Sequence, residues 1–232
     1  MRVLVTRSQD DASRTAQRLA ERGHDAVIAS VTEIVPTGDP MPAESWDALV
    51  VTSAHAREAL AAVGDRTRPV FAVGPHTASA VREAGFTHVV TAEGDAKSMI
   101  GVIRDSVRND LTLLHVTARH HKEEPAASLR AAGHCVLQWE AYEAKAVAQL
   151  PPQAAAALRT GQIRAALHYS RRSAAIVLRL AEEAGLTSTL GTFPHLCLSP
   201  DVAVPFEGLG LATLQAARPD EEALLALLDG LP

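Results

Sequence analysis

Short apolar runs alternate with helical patterns along the whole chain. The runs are rich in valine, leucine and alanine, which is typical of strands buried in a parallel sheet. Between them, apolar residues recur at helical spacing: Ala12, Ala16, Leu19 and Ala20, for example, share one face. The pattern predicts strands at Val3–Thr6, Ala48–Thr52, Val70–Val73, His88–Thr91, Leu111–Val116, Ala165–Ser170, His195–Leu198 and Leu211–Gln215.

Glycines follow several of the predicted helices. Because glycine readily adopts the left-handed conformation that ends a helix, each is predicted to mark a helix C-terminus. They are Gly23, Gly64, Gly85, Gly133 and Gly185. Strands and helices that alternate in this way predict an α/β fold with parallel sheets covered on both faces.

The second half of the chain repeats the pattern of the first. The segment 2–7 resembles 113–119, 48–53 resembles 166–170, and the turn 71–78 resembles 196–203. The order of these motifs is preserved, which indicates a duplicated domain. We therefore expect two similar halves, with the functional site in the cleft between them.

Two extended segments interrupt the alternation, near residues 31–42 and 138–147. The first contains three prolines and the second ends shortly before Pro151 and Pro152. Proline disfavours helices and central strands, so both segments are interpreted as connectors.

Composition and charge narrow the classes of function. The 232 residues fit two compact domains, and no apolar run is long enough to span a bilayer. The first residues lack the apolar core of a signal peptide, and Cys135 and Cys197 stand far apart, which favours reduced, buried thiols in the cytoplasm. A net charge of −5 and 3% aromatic residues argue against a nucleic-acid partner. Any anionic ligand must therefore be held by local features.

Hydroxyl and basic side chains follow the predicted strands, where the ligand crevice of an open α/β sheet lies. They are Thr6, Arg7, Thr52, Ser53, Thr117, Arg119, Ser170, Arg171 and Arg172. With the free N–H groups of helix N-termini, such residues suit a carboxylate or phosphate. The alternative is that the hydroxyls only cap helices and the arginines form a solvated rim. Their recurrence in both halves favours a ligand site.

Other motifs of known chemistry are absent from the sequence. The turn at 73–78 lacks the lysine of a phosphate-binding P-loop, and no dinucleotide fingerprint or serine nucleophile elbow is present. Histidines at 115, 120 and 121 lie near Glu123 and Glu124, but their spacing is not that of a zinc site. Adjacent histidines in such a position more often face solvent, so no metal or other cofactor is expected.

Tyr142 lies in the second connector, between Trp139 and Lys145. Its hydroxyl could enter the cleft and donate a proton, or its ring could simply pack against one domain. Spacing leaves both interpretations open.

In its motifs the chain resembles the uroporphyrinogen-III synthase family from end to end. The resemblance rests on the opening 3–7, the strand 47–53, the turn 73–78, the hinge residue Tyr142, and Tyr169 with Ser170. It implies two flavodoxin-like, three-layer α/β domains joined by a two-stranded β linker. The domains would be 1–35 plus 146–232, and 36–142.

The resemblance also implies a hydro-lyase of porphyrin and haem biosynthesis that acts without a cofactor. Such an enzyme closes the linear tetrapyrrole hydroxymethylbilane to uroporphyrinogen III, with loss of water and inversion of ring D. Tyr142 would be the catalytic proton donor. The residues that match substrate-binding positions are Thr52, Ser53, Thr77, Ser170 and Arg7. The enzyme would act as a cytoplasmic monomer, with no nucleic-acid or membrane partner.

The second half departs from the family pattern at 199–203. Val202 replaces the threonine of the turn, and Asp201 adds a negative charge. Pro205 and Gly208 are expected to interrupt the helix that follows. This departure favours an alternative function, a non-catalytic module of the same fold that binds an anionic metabolite. A flavodoxin- or receiver-like pair is a third reading, but the acidic cluster and phosphate loops that it needs are missing.

Overall fold

The computed structural model describes residues 1–106 and 110–231. The chain divides into two compact units. The first unit consists of Met1–Glu33 together with Lys145–Pro232, and the second of Ile34–Ala144. Each unit has a sheet and hydrophobic clusters of its own.

The strands of the described residues are short, apart from two. They are β1 (Arg2–Val5), β2 (Asp25–Ile28), β3 (Thr32–Pro36), β4 (Ala48–Val51), β5 (Val70–Ala72), β6 (Val89–Thr91), β7 (Thr112–Ala118), β8 (Cys135–Ala146), β9 (Ala165–His168), β10 (His195–Cys197) and β11 (Thr213–Gln215). The order in the first sheet is β11-β10-β9-β1-β2, and every neighbouring pair is parallel. The order in the second sheet is β3-β8-β7-β4-β5-β6, with parallel pairing from β8 to β6.

Helices alternate with most of these strands. They are α1 (Gln9–Glu21), α2 (Arg57–Leu60), α3 (Pro75–Glu83), α4 (Ala96–Ser106), α5 (Ala126–Ala131), α6 (Pro152–Arg159), α7 (Arg171–Glu183), α8 (Thr187–Leu190), α9 (Pro200–Glu207) and α10 (Glu221–Ala226). In the part of the chain that the structure describes, no helix is long and apolar enough to cross a membrane.

Successive residues of the central strands belong to different hydrophobic clusters. In β1, Leu4 packs with the cluster that includes Leu180 of α7, whereas Val3 and Val5 pack with the cluster that includes Leu19 of α1. Side chains along a strand point alternately to the two faces of its sheet. Both faces of the first sheet are therefore buried, and β4 and β7 show the same division in the second unit. This burial on both faces explains why the sequences of these strands are continuous apolar runs.

The prediction of an α/β fold with parallel sheets is thus confirmed. Each of the eight predicted strands is present, with ends that differ by one or two residues. The sequence pattern missed β2, whose exposed Asp25 begins a strand that is only partly buried. The first predicted connector contains β3, and the second contains most of β8, which begins earlier, at Cys135.

Three local expectations were wrong. Gly64 does not have the positive φ of the other four helix-ending glycines. Cys135 is exposed, since it begins β8, whereas Cys197 is buried as expected. Pro205 lies inside α9 without ending it, and Gly208 follows as the helix cap. A proline so close to the C-terminus of a short helix removes one backbone hydrogen bond and leaves the preceding turn intact.

Candidate functional site

Most of the predicted site residues of the second unit follow strands that end at one edge of its sheet. β7, β4 and β5 are neighbouring parallel strands, so their carboxyl ends lie together. Thr52 and Ser53 follow β4, and Thr77 belongs to α3, which begins after β5. Ligand crevices of open α/β sheets form at this edge.

Tyr142 reaches its position through a bulge in β8. The pairing of β8 with β7 shifts between Thr117 and Ala118, so that Ala141 is an extra residue. In a regular strand, Tyr142 and Trp139 would point to opposite faces, because side chains alternate. With the bulge, both side chains are buried in the same hydrophobic cluster. Tyr142 is only 6% exposed.

The Ser53 side chain lies close enough to Tyr142 to influence the pKa of its phenol. The Ser53 oxygen accepts a hydrogen bond of 3.2 Å from the backbone N–H of His55, whose ring stands edge-on to the tyrosine ring. Burial raises the pKa of Tyr142, and Ser53 partly offsets the rise. The phenol is therefore protonated at neutral pH and has a proton to donate.

Thr52 faces a different neighbour from Ser53. Its Oγ1 lies 3.3 Å from Nε2 of His115, which is in the middle of β7. His115 is buried, and burial, with smaller contributions from the nearby charges of His121 and Arg130, lowers its pKa to about 4. Adjacent residues after β4 therefore contact two different polar groups.

Thr77 lies in the first turn of α3. Its side chain is buried, and within the described part of the chain its hydroxyl makes no hydrogen bond. Pro75 has no N–H, so His76 and Thr77 supply the first free backbone N–H groups of this helix. Gly74 allows the close approach of Gly94, whose Cα would lie 3.2 Å from a Cβ at position 74. A hydroxyl beside free N–H groups can hold a carboxylate oxygen.

In the first unit, Arg7 follows β1 and is already engaged by protein groups. Its Nη1 lies 2.9 Å from the Glu221 carboxylate, and its guanidinium stacks 4.0 Å above the centre of the Tyr169 ring. The Tyr169 hydroxyl donates to the same carboxylate at 2.9 Å, and Thr15 donates to it at 2.6 Å. An internal carboxylate therefore occupies the donors that could otherwise meet a ligand.

Ser170 is the N-cap of α7. Its oxygen accepts a hydrogen bond of 3.1 Å from the backbone N–H of Ser173, and its hydroxyl is 2.9 Å from the Ser173 hydroxyl. The side chain is exposed. The capping role that the sequence analysis left open is thus present at Ser170, and also at Ser53.

The altered turn of the first unit begins α9. Val202 is buried, in contrast to the free hydroxyl of Thr77, and offers no polar group. The added charge of Asp201 is paired with Arg171 at 3.2 Å. This pairing offsets the negative charge that the sequence suggested for the turn.

A chain of buried polar groups in the first unit was missed by the sequence analysis. Thr6 Oγ1 lies 3.0 Å from His168 Nδ1, His168 Nε2 lies 3.0 Å from His195 Nδ1, and His195 Nε2 lies 3.0 Å from the carbonyl of Leu190. Phe206 packs against both rings. The signal in the sequence was a histidine within each of two apolar strands, β9 and β10.

The structure thus brings Ser53 to Tyr142 and Thr52 to His115. It shows Arg119 paired with Asp39 at 2.8 Å, with Glu140 and Glu143 also close. Glu221, which organises the surroundings of Arg7, was also missed. Its only sequence signal was its place in the acidic first turn of the last helix.

Among the described residues, no three His, Cys, Asp or Glu side chains are grouped to hold a metal ion. His120 and His121 are exposed, as expected. His115 is buried, because it lies within β7, where the sequence pattern also predicted a strand.

Comparison with known proteins gives one consistent result. A family model described as uroporphyrinogen-III synthase HemD matches residues 13–226. The solved uroporphyrinogen-III synthetase from Helicobacter pylori 26695 is similar in fold, with a TM-score of 0.69, 18% sequence identity and 99% of each chain covered. A mutant uroporphyrinogen III synthase from the extremely thermophilic bacterium Thermus thermophilus has a TM-score of 0.52 and 18% identity, with 99% of this chain and 96% of that chain covered. No curated protein sequence matches the chain.

Proposed function

The chain belongs to the uroporphyrinogen-III synthase family, and we propose that it closes hydroxymethylbilane to uroporphyrinogen III with inversion of ring D and loss of water. The observation that best supports this proposal is the environment of Tyr142. A buried, protonated phenol in β8, beside Ser53, is suited to give a proton to a leaving hydroxyl.

In the proposed reaction, the bond between the terminal carbon of the bilane and its hydroxyl breaks first. Tyr142 gives its proton to the departing oxygen, which leaves as water, and the pyrrole nitrogen lone pair stabilises the resulting azafulvene cation. Ser53, which acts to lower the pKa of the phenol, stabilises the phenolate that forms. When the macrocycle later loses a proton from carbon, the phenolate takes it up, so that Tyr142 is restored.

The rest of the proposal concerns binding of the acetate and propionate arms. In the second unit, Thr52, Ser53 and Thr77, with the free N–H groups at the start of α3, are proposed to bind carboxylates. In the first unit, Ser170 and Arg7 are proposed to do so. For Arg7, a substrate carboxylate must exchange with Glu221, because that residue occupies its guanidinium. The work of the protein is then mainly to position a folded bilane and exclude water.

The finer structural expectations are part of this proposal. We propose two flavodoxin-like domains: one consists of 1–35 plus 146–232, and the other of 36–142. A two-stranded linker near 31–42 and 138–147 joins them, and a cleft admits the bilane. Two backbone hydrogen bonds support the linker: Val147 donates to Val31 and Thr37 donates to Ala141. Residue numbers rise on one segment as they fall on the other, as in an antiparallel pair. From membership of the same family, we also propose that the enzyme is monomeric and cytoplasmic and acts without a cofactor.

The direct test is incubation of the protein with freshly prepared hydroxymethylbilane, followed by oxidation and separation of the porphyrin isomers. We expect the type III isomer to predominate. Formation of the type I isomer alone, at the spontaneous rate, would exclude the proposed activity.

The role of Tyr142 is tested by Tyr142→Phe, which removes the proton but keeps the ring in the core. We expect kcat to fall at least about tenfold, since general-acid catalysis contributes factors of about 100 to 10,000. The matched control is Tyr169→Phe, which affects the only other tyrosine of the chain and should leave kcat within about threefold. Equal effects of the two variants on kcat would show that Tyr142 is not the proton donor.

A second candidate function is a non-catalytic module that binds an anionic metabolite. The buried Val202, which replaces the hydroxyl of the turn in the first unit, favours it. The same incubation separates the two functions. A binding module would retain the bilane, or the stable octacarboxylate uroporphyrin, without forming the type III isomer.

A further inference from the structure

His115 is a buried polar residue that the proposed reaction does not use. It lies in the middle of β7 and is 1% exposed. Its Nε2 faces the Thr52 hydroxyl at 3.3 Å, whereas its Nδ1 is buried and makes no hydrogen bond with the described residues. One ring nitrogen thus has a partner and the other has none.

Among the described residues, no neighbouring group accepts a hydrogen bond from Nδ1. Gln138 lies opposite His115 in β8. Its amide oxygen accepts from Arg130 at 2.9 Å, and its amide nitrogen lies 2.9 Å from Nε2 of His121. On the other side, Val50 is the register partner in β4 and offers no side-chain acceptor. A proton on Nδ1 would be a buried donor without an acceptor, which is an unfavourable state.

His115 is also neutral at physiological pH. Burial lowers its pKa to about 4, and the nearby positive charges of His121 and Arg130 act in the same direction. A neutral imidazole has one N–H group and one acceptor nitrogen. Because Nδ1 has no acceptor, the proton is placed on Nε2, where it points to the Thr52 oxygen.

We propose that His115 is a positioning residue, which donates from Nε2 to Thr52 and thereby leaves the Thr52 hydroxyl proton for a substrate carboxylate. The inference rests on the proposed function, in which Thr52 binds an acetate or propionate arm. With the opposite tautomer, Thr52 would donate its proton to the ring. Its oxygen would then present only lone pairs to a carboxylate, and the two groups would repel each other.

The tautomer can be measured without any activity. In protein labelled with ¹⁵N-histidine, long-range ¹H–¹⁵N correlation at pH 7 separates protonated from unprotonated ring nitrogens. The spectrum of His115→Gln identifies the signals of this residue among the ten histidines. We expect an unprotonated Nδ1 and a protonated Nε2; the reverse would overturn the inference, whatever the protein catalyses.

The effect on binding is measured by a double-mutant cycle between His115 and Thr52. We expect His115→Leu and Thr52→Val each to raise KM at least fivefold, with kcat within twofold. In the Thr52→Val background, His115→Leu should change KM less than twofold, because the group that it positions is already absent. His115→Gln restores a donor at the same distance along the side chain and should bring KM back to within twofold.

Two results would contradict the proposal. If the two effects on KM multiply, His115 acts independently of Thr52. If His115→Gln raises KM as much as His115→Leu while circular dichroism shows that both remain folded, a hydrogen-bond donor at position 115 is not responsible for the low KM. If the wild-type protein forms no type III isomer, the proposed function fails separately. The same cycle is then run on the Kd of uroporphyrin, with the same criterion of non-additivity.

Discussion

At the scale of single residues, the carboxylate of Glu221 shows how strongly neighbouring groups change the pKa of a side chain. Four groups contact it: Arg7, Thr15, Arg18 and Tyr169. Burial alone would raise its pKa, but these hydrogen bonds and the charge of Arg7 outweigh burial, and the pKa is lowered. Its interactions therefore stabilise the fold above the carboxyl's unfolded pKa and are lost as the pH falls.

We predict that Glu221→Gln lowers the free energy of unfolding by about 2 kcal/mol at pH 7, since it weakens several hydrogen bonds to a charged group. The measurement is urea denaturation. The control is Glu222→Gln, because the Glu222 side chain is 58% exposed and its ion pairs with Arg18 and Arg22 should contribute about 0.5 kcal/mol. Equal losses would mean that Glu221 does not organise this cluster.

The same variant tests the proposed contact of Arg7 with substrate. A glutamine competes less strongly than a carboxylate for the guanidinium, so a substrate carboxylate should reach Arg7 more readily. KM should then fall in Glu221→Gln. If KM is unchanged or rises, Arg7 holds Tyr169 and Glu221 in place and does not bind the bilane.

At the scale of elements, the bounds of the strands and most helix ends were predicted well, but their finer geometry was not. The run before Thr52 predicted β4, because a strand buried on both faces is continuously apolar. No pattern indicated the bulge at Ala141, which brings Tyr142 to the face of Trp139. Bulges depend on pairing with a particular neighbour, here β7, and that neighbour lies outside the local sequence.

The turn before α3 offers a test at this scale. Gly74→Ala would place a Cβ 3.2 Å from the Cα of Gly94, and Gly94 itself has a φ of +109°. Since backbone must move to relieve this contact, we predict a loss of about 1 kcal/mol in unfolding free energy. Gly64→Ala is the control: the added Cβ meets no atom within 4 Å and no positive φ is required. It should be neutral or stabilise by about 0.5 kcal/mol, and thermal or urea denaturation of both variants checks the difference.

At the scale of the whole molecule, buried histidines in both units make stability depend on pH. His115, His168 and His195 are all less than 2% exposed. Burial is the main cause that lowers the pKa of each, to about 4 for His115 and His195. Unfolding restores a pKa near 6.5, so the unfolded chain binds more protons between these values. Stability therefore falls as the pH drops from about 6.5 to about 4.

We predict that this pH dependence weakens in His195→Gln. The amide can still donate to the Leu190 carbonyl, but it does not titrate. At pH 5, protonation of one unfolded histidine contributes about 2 kcal/mol. The loss of stability between pH 7 and pH 5 should therefore be smaller by that amount in the variant. His88→Gln, at an exposed position, should leave the loss unchanged, and equal curves for His195→Gln and wild type would contradict the prediction.

The sequence by itself determined the fold class and where most strands and helices lie, because burial imposes local periodicities that a chain records in order. It also identified Tyr142, Thr52, Ser53 and Thr77 as candidates through short motifs. Only the tertiary structure decided which strands are neighbours: β9 pairs with β1, although about 160 positions separate Val3 from Ala165. Arg7 and Glu221 are likewise far apart in the sequence and in contact in the structure. Such pairings depend on how sheets assemble, and a periodic pattern contains no information about its distant partner.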